Sequence, residues 1–377
     1  MALTKVDQTM VSDQVFGRRN LFINGDMKIA QRATAYSGAT GTDYYTVDRW
    51  ETAMSSAGTW TISQSTTVPS GEGFAYSQKL DCTTADSSLG AGDYLLWRQK
   101  IEGINLQQLK YGTSSAEKLT LSFWVKSAKT GTYIVEFYND NSSENKTQSQ
   151  SYTISSANTW EKKTITIDGD TAHSIQNTTS AELLVYFWLA AGSNYTGGGS
   201  LNTSWSAVDT VGNSVRAVGQ VNLADSTSND WYITGVQLEV GDNATPFENL
   251  TFGEELALCH RYCFAACSAG EAGASASQVQ IGIGSFYTDT QVETVVYFPT
   301  TMRSSPSLSV NSGTDYFISE ANAGGQNFDS WSGVYGAGKN QKLIYSSGQI
   351  SDFNNQGQAT RLAVQNSAAY IIFESEL

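Results

Sequence analysis

Acid–base chemistry in this chain would have to run through two histidines, His173 and His260. His173 closes the polar run Gly169-Asp170-Thr171-Ala172-His173, and His260 stands beside Cys259. Neither has a nucleophile-elbow sequence nearby of the kind a Ser-His-Asp arrangement uses. Both read as ordinary solvent-facing histidines, and no catalytic residue is assigned. Cys259, His260 and Cys263 offer zinc-type ligands, but neighbours on a helix diverge by about 100°, and no CxxC pair follows. A buried row of thiols is the better reading, so no metal ligand is assigned. Glycoside hydrolysis needs two carboxylates a few ångströms apart; the acids here are too many and too scattered to nominate a pair.

The aromatic residues carry more information. Nine Trp and nineteen Tyr exceed what cores alone require, and such rings stack on sugars while Asn, Gln, Asp and Ser bond the hydroxyls. Tyr195, Trp205, Trp331 and Tyr335 lie in Gly/Ser/Asn-rich, loop-like contexts and are the candidate carbohydrate-binding residues. Core packing or a subunit contact is the competing reading for each.

The elements that must position these rings read as strands. Leu119, Leu121, Phe123 and Val125 alternate with Thr120, Ser122, Trp124 and Lys126, the pattern of a half-buried strand. Tyr133, Val135 and Phe137 alternate likewise, as do Ile165 and Ile167. Leu183 to Leu189 is apolar on both faces, predicting a strand covered twice or one whose outer face meets another subunit. Trp231, Ile233, Val236, Leu238 and Val240 close this region, and Pro246 follows. Phe252 to Cys267 reads as a helix capped by Thr251 with Glu254 as capping-box partner. Its Phe252, Leu256, Cys259, Cys263 and Ala266 form a short coiled-coil seam. A small-residue linker, 268–277, leads to further strands around Val292 to Phe298, Leu308 to Val310, Leu343 to Tyr345, Leu362 to Val364 and Tyr370 to Phe373. The fold class expected is all-β: an N-terminal jelly-roll-like β-sandwich over 20–250, one short connecting helix over 251–267, and a smaller C-terminal β-sandwich over 268–377.

Composition narrows the partners. Charged residues make up 15% of the chain, against roughly 25% in average domains, so its polarity comes from neutral side chains that suit sugar binding. The net charge of -14 repels phosphate backbones and argues against nucleic acid. No stretch approaches a membrane span, and the N-terminus lacks the pattern of a signal peptide. The expectation is a protein made in a host cytoplasm, with reduced thiols at all four cysteines and no N-glycosylation at matches such as Asn141, Asn145 and Asn177.

Several blocks together resemble a module recurrent in phage tail-fibre and other virion proteins. They are Asn20-Leu21-Phe22-Ile23-Asn24-Gly25-Asp26-Met27, Ile29-Ala30-Gln31-Arg32, Tyr45-Thr46-Val47-Asp48-Arg49-Trp50, Leu119 to Ser127, Gly235 to Gly241 and Ala244 to Glu248. Phe252 to Tyr262 looks like the helical coda of that module. The opening Asn-Leu-x-x-Asn-Gly is also similar to jelly-roll carbohydrate-binding modules, and that likeness implies a structural calcium held by Asp26 and the Gln237 to Glu239 strand. Otherwise no cofactor is expected.

The resemblance implies a non-enzymatic virion protein of the tail-fibre or capsid-fibre kind, usually a homotrimer, that binds host surface glycans. Residues 1–19, with Lys5, Arg18 and Arg19, would then be an attachment segment docking to other virion proteins. Asn24, Asp48, Arg49 and Trp50 would be structural, because a buried Arg needs a carboxylate partner and an aromatic plate. Ligand contact would fall on variable loops such as Asn139 to Gln150 and Ala191 to Asp209. The alternatives are a capsid or decoration protein without receptor binding and, ranked last, a polysaccharide depolymerase.

Overall fold

The computed structural model describes residues 18–140, 145–208, 213–321, 324–350 and 356–377. Most of the expected attachment segment, including Lys5, lies outside these residues, as do Asn141 and Asp209. The chain divides into two compact units. The first holds residues up to Asp26, 53–60 and 65–250, and the second holds 27–52, 61–64 and Thr251–Leu377. The expected 20–250 domain therefore gives up two internal stretches, including the Asp48-Arg49-Trp50 block, to the second unit.

In chain order the strands up to residue 250 are β1 (Ala35–Ala39), β2 (Glu51–Ser55), β3 (Thr59–Ser65), β4 (Ser77–Thr84), β5 (Tyr94–Glu102) and β6 (Leu119–Ser127). They continue with β7 (Gly131–Asn139), β8 (Lys146–Ile154), β9 (Glu161–Ile167), β10 (Ala181–Ala191), β11 (Ser206–Ala207) and β12 (Asp230–Val240). Within the first unit, one sheet runs β4-β12-β6-β9 and the other β11-β8-β7-β10-β5. Their pairings are antiparallel.

Apolar alternation decides what lies between these sheets. Leu119, Leu121, Phe123 and Val125 of β6 are fully buried. They meet a ring cluster in which Phe187 lies 5.2 Å from Phe123 and 5.5 Å from Trp97, with Trp231 5.6 Å from Trp97. The surplus of tryptophan is spent here and in similar places: Trp50, Trp60, Trp97, Trp188, Trp231 and Trp331 are all buried, so most of the nine serve cores after all. Strand β10 is covered on both faces, the first of its two expected readings. Its Leu184, Tyr186 and Trp188 form a separate buried cluster with Leu96, Ile134 and Ala217.

The Asn20 to Asp26 block has a structural task. Strand β12 breaks its register with β6 between Thr234 and Gln237, which would leave backbone groups unpaired. The Asn20 side chain fills the gap, donating to the Val236 carbonyl at 3.0 Å and accepting from Leu238 N at 3.0 Å. Gly25 packs so closely that a Cβ would lie 2.1 Å from the Val236 oxygen. Asn24 is buried with φ 60°, a conformation Asn tolerates better than most residues. Glu248 then accepts from the Arg19 and Asn20 amides. Blocks more than 200 residues apart thus close on one another as scaffold.

The second unit contains α2 (Phe252–His260), the single turn α1 (Ser193–Thr196) having come earlier in the first. Its later strands are β13 (Cys263–Cys267), β14 (Val279–Thr288), β15 (Gln291–Tyr297), β16 (Ser307–Val310) and β17 (Phe317–Ala321). These are followed by β18 (Gly324–Phe328), β19 (Gly333–Tyr335), β20 (Gln341–Ser347), β21 (Ala359–Val364) and β22 (Ile371–Glu374). A three-stranded sheet, β13-β22-β16, and a seven-stranded sheet, β18-β17-β21-β14-β15-β20-β19, enclose one core that includes Phe373, Met302, Phe317, Ile344 and Leu362. The all-β class holds throughout.

The helix is shorter than its pattern promised. Thr251 and Glu254 form the expected capping box, but α2 stops at His260 and Cys263–Cys267 is a strand. Cys259, Cys263 and Cys267 are four apart, a spacing that fits one face of either a helix or a strand. Pairing of β13 with β22, with Phe264 opposite Phe373, settles the choice by tertiary contact. No coiled-coil seam therefore runs through Cys263 and Ala266.

Candidate functional site

In the first unit, β7 and β10 place Glu136 opposite Tyr186, on the face away from the ring cluster. Glu136 is fully buried. It accepts the Trp188 indole N–H at 2.9 Å and two guanidinium N–H groups of Arg216 at 2.7 and 3.1 Å, and Thr147 also donates to it. The Arg216 guanidinium is ringed by Tyr138, Tyr186, Trp188 and Tyr195 at 5.2 to 5.9 Å. Burial works against its charge, but the Glu136 carboxylate prevails and raises it above the usual arginine range.

Tyr195 belongs to this cage. Its ring is half-buried, 5.0 Å from Trp188 and 5.9 Å edge-on to Tyr94, which makes it part of an internal polar–aromatic cluster. Trp205 is partly exposed; its indole N–H donates to the Asp168 carbonyl at 2.8 Å and its ring meets Tyr111 edge-on at 5.9 Å. Among the described residues of the expected loop 139–150, most are sheet. Asn139 ends β7 and is buried, and β8 begins at Lys146. His173 is not solvent-facing: its side chain is 21% exposed, with Nδ1 3.5 Å from Asp170.

Two of the calcium ligands that the resemblance implies already carry hydrogen bonds. Glu239 accepts from the Thr245 amide and hydroxyl. Gln237 is spent on Glu248 N and on the Thr245 and Pro246 carbonyls. Among the described residues no cluster of three His, Cys, Asp or Glu is placed to hold a metal.

In the second unit, Arg49 and Trp50 are buried, as is Asp48. The partners of Arg49 come from far along the chain: its guanidinium lies 3.5 Å from the Tyr262 ring centre and pairs with Glu376. Asp48 accepts from the Gln31 backbone and side chain, and Arg32 reaches Glu374 at 2.6 Å and Glu376 at 3.2 Å. This network closes the C-terminus onto the unit. Beside it, Lys28, Gln31, Gln64, Phe252, His260 and Glu271 help line a cleft of about 340 Å³. His260 is half-buried, which lowers its pKa.

Trp331 is corrected. It is 4% exposed and packs edge-on against Phe328 at 5.2 Å and Phe317 at 6.0 Å, so it is a core residue that no ligand reaches. Tyr335, four residues on, is 53% exposed. Its ring stacks on Tyr345 at 4.5 Å with 14° between planes, and β19 sets it opposite Leu343. Tyr287 and Tyr297 are also exposed. Tyr297 shares its side of β15 with Glu293, which lies opposite Tyr345. The sequence reading missed Tyr287, Tyr297 and Tyr345. The signal was there: in Val292 to Tyr297 both alternating sets carry apolar residues, so the strand has an outer face that is not simply polar.

No protein family matches the sequence, and no curated protein matches it. Solved structures that are loosely similar include the following three. The enzymatically active domain of tailspike protein 4 of bacteriophage CBA120 aligns over 59% of this chain and 21% of its own, at 12% identity and a TM-score of 0.31; this chain thus spans about a fifth of that one. TmCBM61, solved with β-1,4-galactotriose, aligns over 59% of this chain and 99% of its own, at 11% identity and a TM-score of 0.30. The family 11 carbohydrate-binding module of a Clostridium thermocellum cellulase aligns over 55% and 98%, at 13% identity and a TM-score of 0.26. Alignments this loose carry no argument about what the chain does.

Proposed function

We propose that this chain is a non-enzymatic virion fibre protein that attaches to host cells through surface glycans, with the Tyr335–Tyr345 pair as a sugar platform. The observation that carries this reading is that pair: two parallel rings on an exposed sheet face, with Glu293 alongside to accept from sugar hydroxyls. Flat apolar rings beside hydrogen-bonding groups match the two kinds of surface a pyranose presents. The chain's charge of -14 favours uncharged sugars over polyanionic ones. The ordered blocks from Asn20 to Tyr262 support the virion assignment. Residues 1–19 would then dock to other virion proteins. Each single contact is weak, and many copies on one particle multiply it.

A glycan panel probed with the purified chain and with Tyr335→Ala tests the platform. Binding to uncharged glycans that weakens tenfold or more in the variant is expected, since one stacking ring contributes on the order of 1.4 kcal/mol or more. Equal binding by both proteins overturns the assignment of Tyr335.

A further inference from the structure

The coiled-coil seam expected through Phe252 does not form, and its ring is left 61% exposed at the start of α2. Phe252, Leu256 and His260 follow one another at steps of four, so they share one side of the helix over about 12 Å. That side is one wall of the cleft of about 340 Å³, a volume in the ordinary range for small-ligand sites. Three groups of the lining keep hydrogen-bonding capacity. The Gln64 amide nitrogen donates to the Met27 carbonyl at 2.7 Å, which leaves its oxygen to accept. One Glu271 oxygen accepts from Ser268 N at 2.8 Å, and the other is unused among the described residues. His260 meets Phe264 edge-on at 5.3 Å, and among the described residues no hydrogen bond takes up either imidazole nitrogen.

We propose that this cleft is a second saccharide site, which holds a short stretch of an uncharged glycan with one pyranose ring on the face of Phe252 and hydroxyls bonded to Gln64, His260 and Glu271. A pyranose brings C–H faces that an aromatic ring covers and hydroxyls that both donate and accept. The cleft answers both. The Gln64 and Glu271 oxygens accept, and a neutral imidazole offers one donor and one acceptor. Leu256, midway along the helix wall, gives the ring faces further apolar cover. Charge disfavours an acidic sugar here. Lys28, the cation of the lining, stands close enough to Glu254 for their charges to attract, and the Glu271 carboxylate repels an anion. This second site rests on the reading of the chain as a glycan binder, but it shares no residue with the Tyr335–Tyr345 pair. It would double the weak contacts that each chain offers.

Calorimetric titration of the full chain with short uncharged oligosaccharides of glucose, galactose and mannose tests this. Tyr335→Ala is expected to weaken binding without abolishing it, and Phe252→Ala added to that variant to lower the remaining affinity about tenfold or more. Phe252→Tyr keeps a ring at the cleft and is expected to bind as the unaltered chain does, which separates stacking from any effect on α2. Unchanged affinity when Phe252→Ala is added to Tyr335→Ala overturns the second site, and equal loss in Phe252→Tyr overturns the stacking role. Complete loss in Tyr335→Ala alone also overturns the second site, while leaving the glycan reading in place. No binding by the unaltered chain overturns that reading itself, and this site with it.

Discussion

The guanidinium of Arg49 lies flat over the ring of Tyr262, 3.5 Å from its centre, in residues 213 positions apart (262 minus 49) that are both buried. Arg49 holds this place with φ 72°, a left-handed conformation costing a non-glycine residue about 1 kcal/mol. The contact and the Glu376 pair offset that cost. Burial opposes its charge, but Glu376 prevails and its pKa rises. Glu376→Gln takes away the anion that Arg49 and Arg32 share and is expected to destabilise the second unit by about 3 kcal/mol. Denaturant unfolding with a tryptophan signal measures this; a change under about 0.5 kcal/mol contradicts the structural role.

Glu136 and Arg216 form the corresponding pair in the first unit. Arg216→Met is expected to cost about 3 to 5 kcal/mol, because Glu136 is left buried with its charge. Adding Glu136→Gln should restore much of that loss. A double-mutant cycle by urea unfolding gives the coupling, and strictly additive losses would contradict the pairing.

Trp331 and Tyr335 are expected to part company. Trp331→Ala removes a core ring and should cost about 3 to 5 kcal/mol, whereas Tyr335→Ala should change stability by under about 0.5 kcal/mol. Thermal melts of the two variants decide whether the burial assignments are right.

Much of this was legible locally and some was not. The alternation in Leu119 to Val125 is a local signal, and β6 appears where it predicts, as does the Thr251–Glu254 cap. Trp331 misled because its Gly/Ser-rich neighbours read as loop, while Phe317 and Phe328 bury it from elsewhere in the chain. The Asp48-Arg49-Trp50 block announced a buried Arg, but nothing nearby in sequence points to Tyr262 or Glu376. Likewise the thiol spacing of four could not separate helix from strand until β22 was in view.

The four cysteines are buried. Burial pushes the Cys82 and Cys267 thiols up to about 11 and holds the Cys259 and Cys263 thiols well above the usual thiol range. A thiol reagent at pH 8 should label none of them in the folded protein and all four after denaturation. Rapid labelling of the native chain would show the thiols to be accessible.

Acid should weaken the second unit through His260. Its folded pKa lies below the ordinary 6.5 because burial disfavours the imidazolium. As pH falls through 6.5 the unfolded chain takes up the proton first, so stability is full above that value and is lost towards the folded pKa. His260→Gln should flatten this segment of the urea midpoint against pH; an unaltered slope would exclude His260 as its source.

Attachment to whole bacterial cells, with and without periodate oxidation of their surface sugars, tests the central claim most directly. The account predicts binding by the unaltered protein that periodate abolishes and that Tyr335→Ala weakens. Binding that survives periodate, or no binding to any susceptible cell, would contradict glycan attachment and leave a decoration protein as the better description.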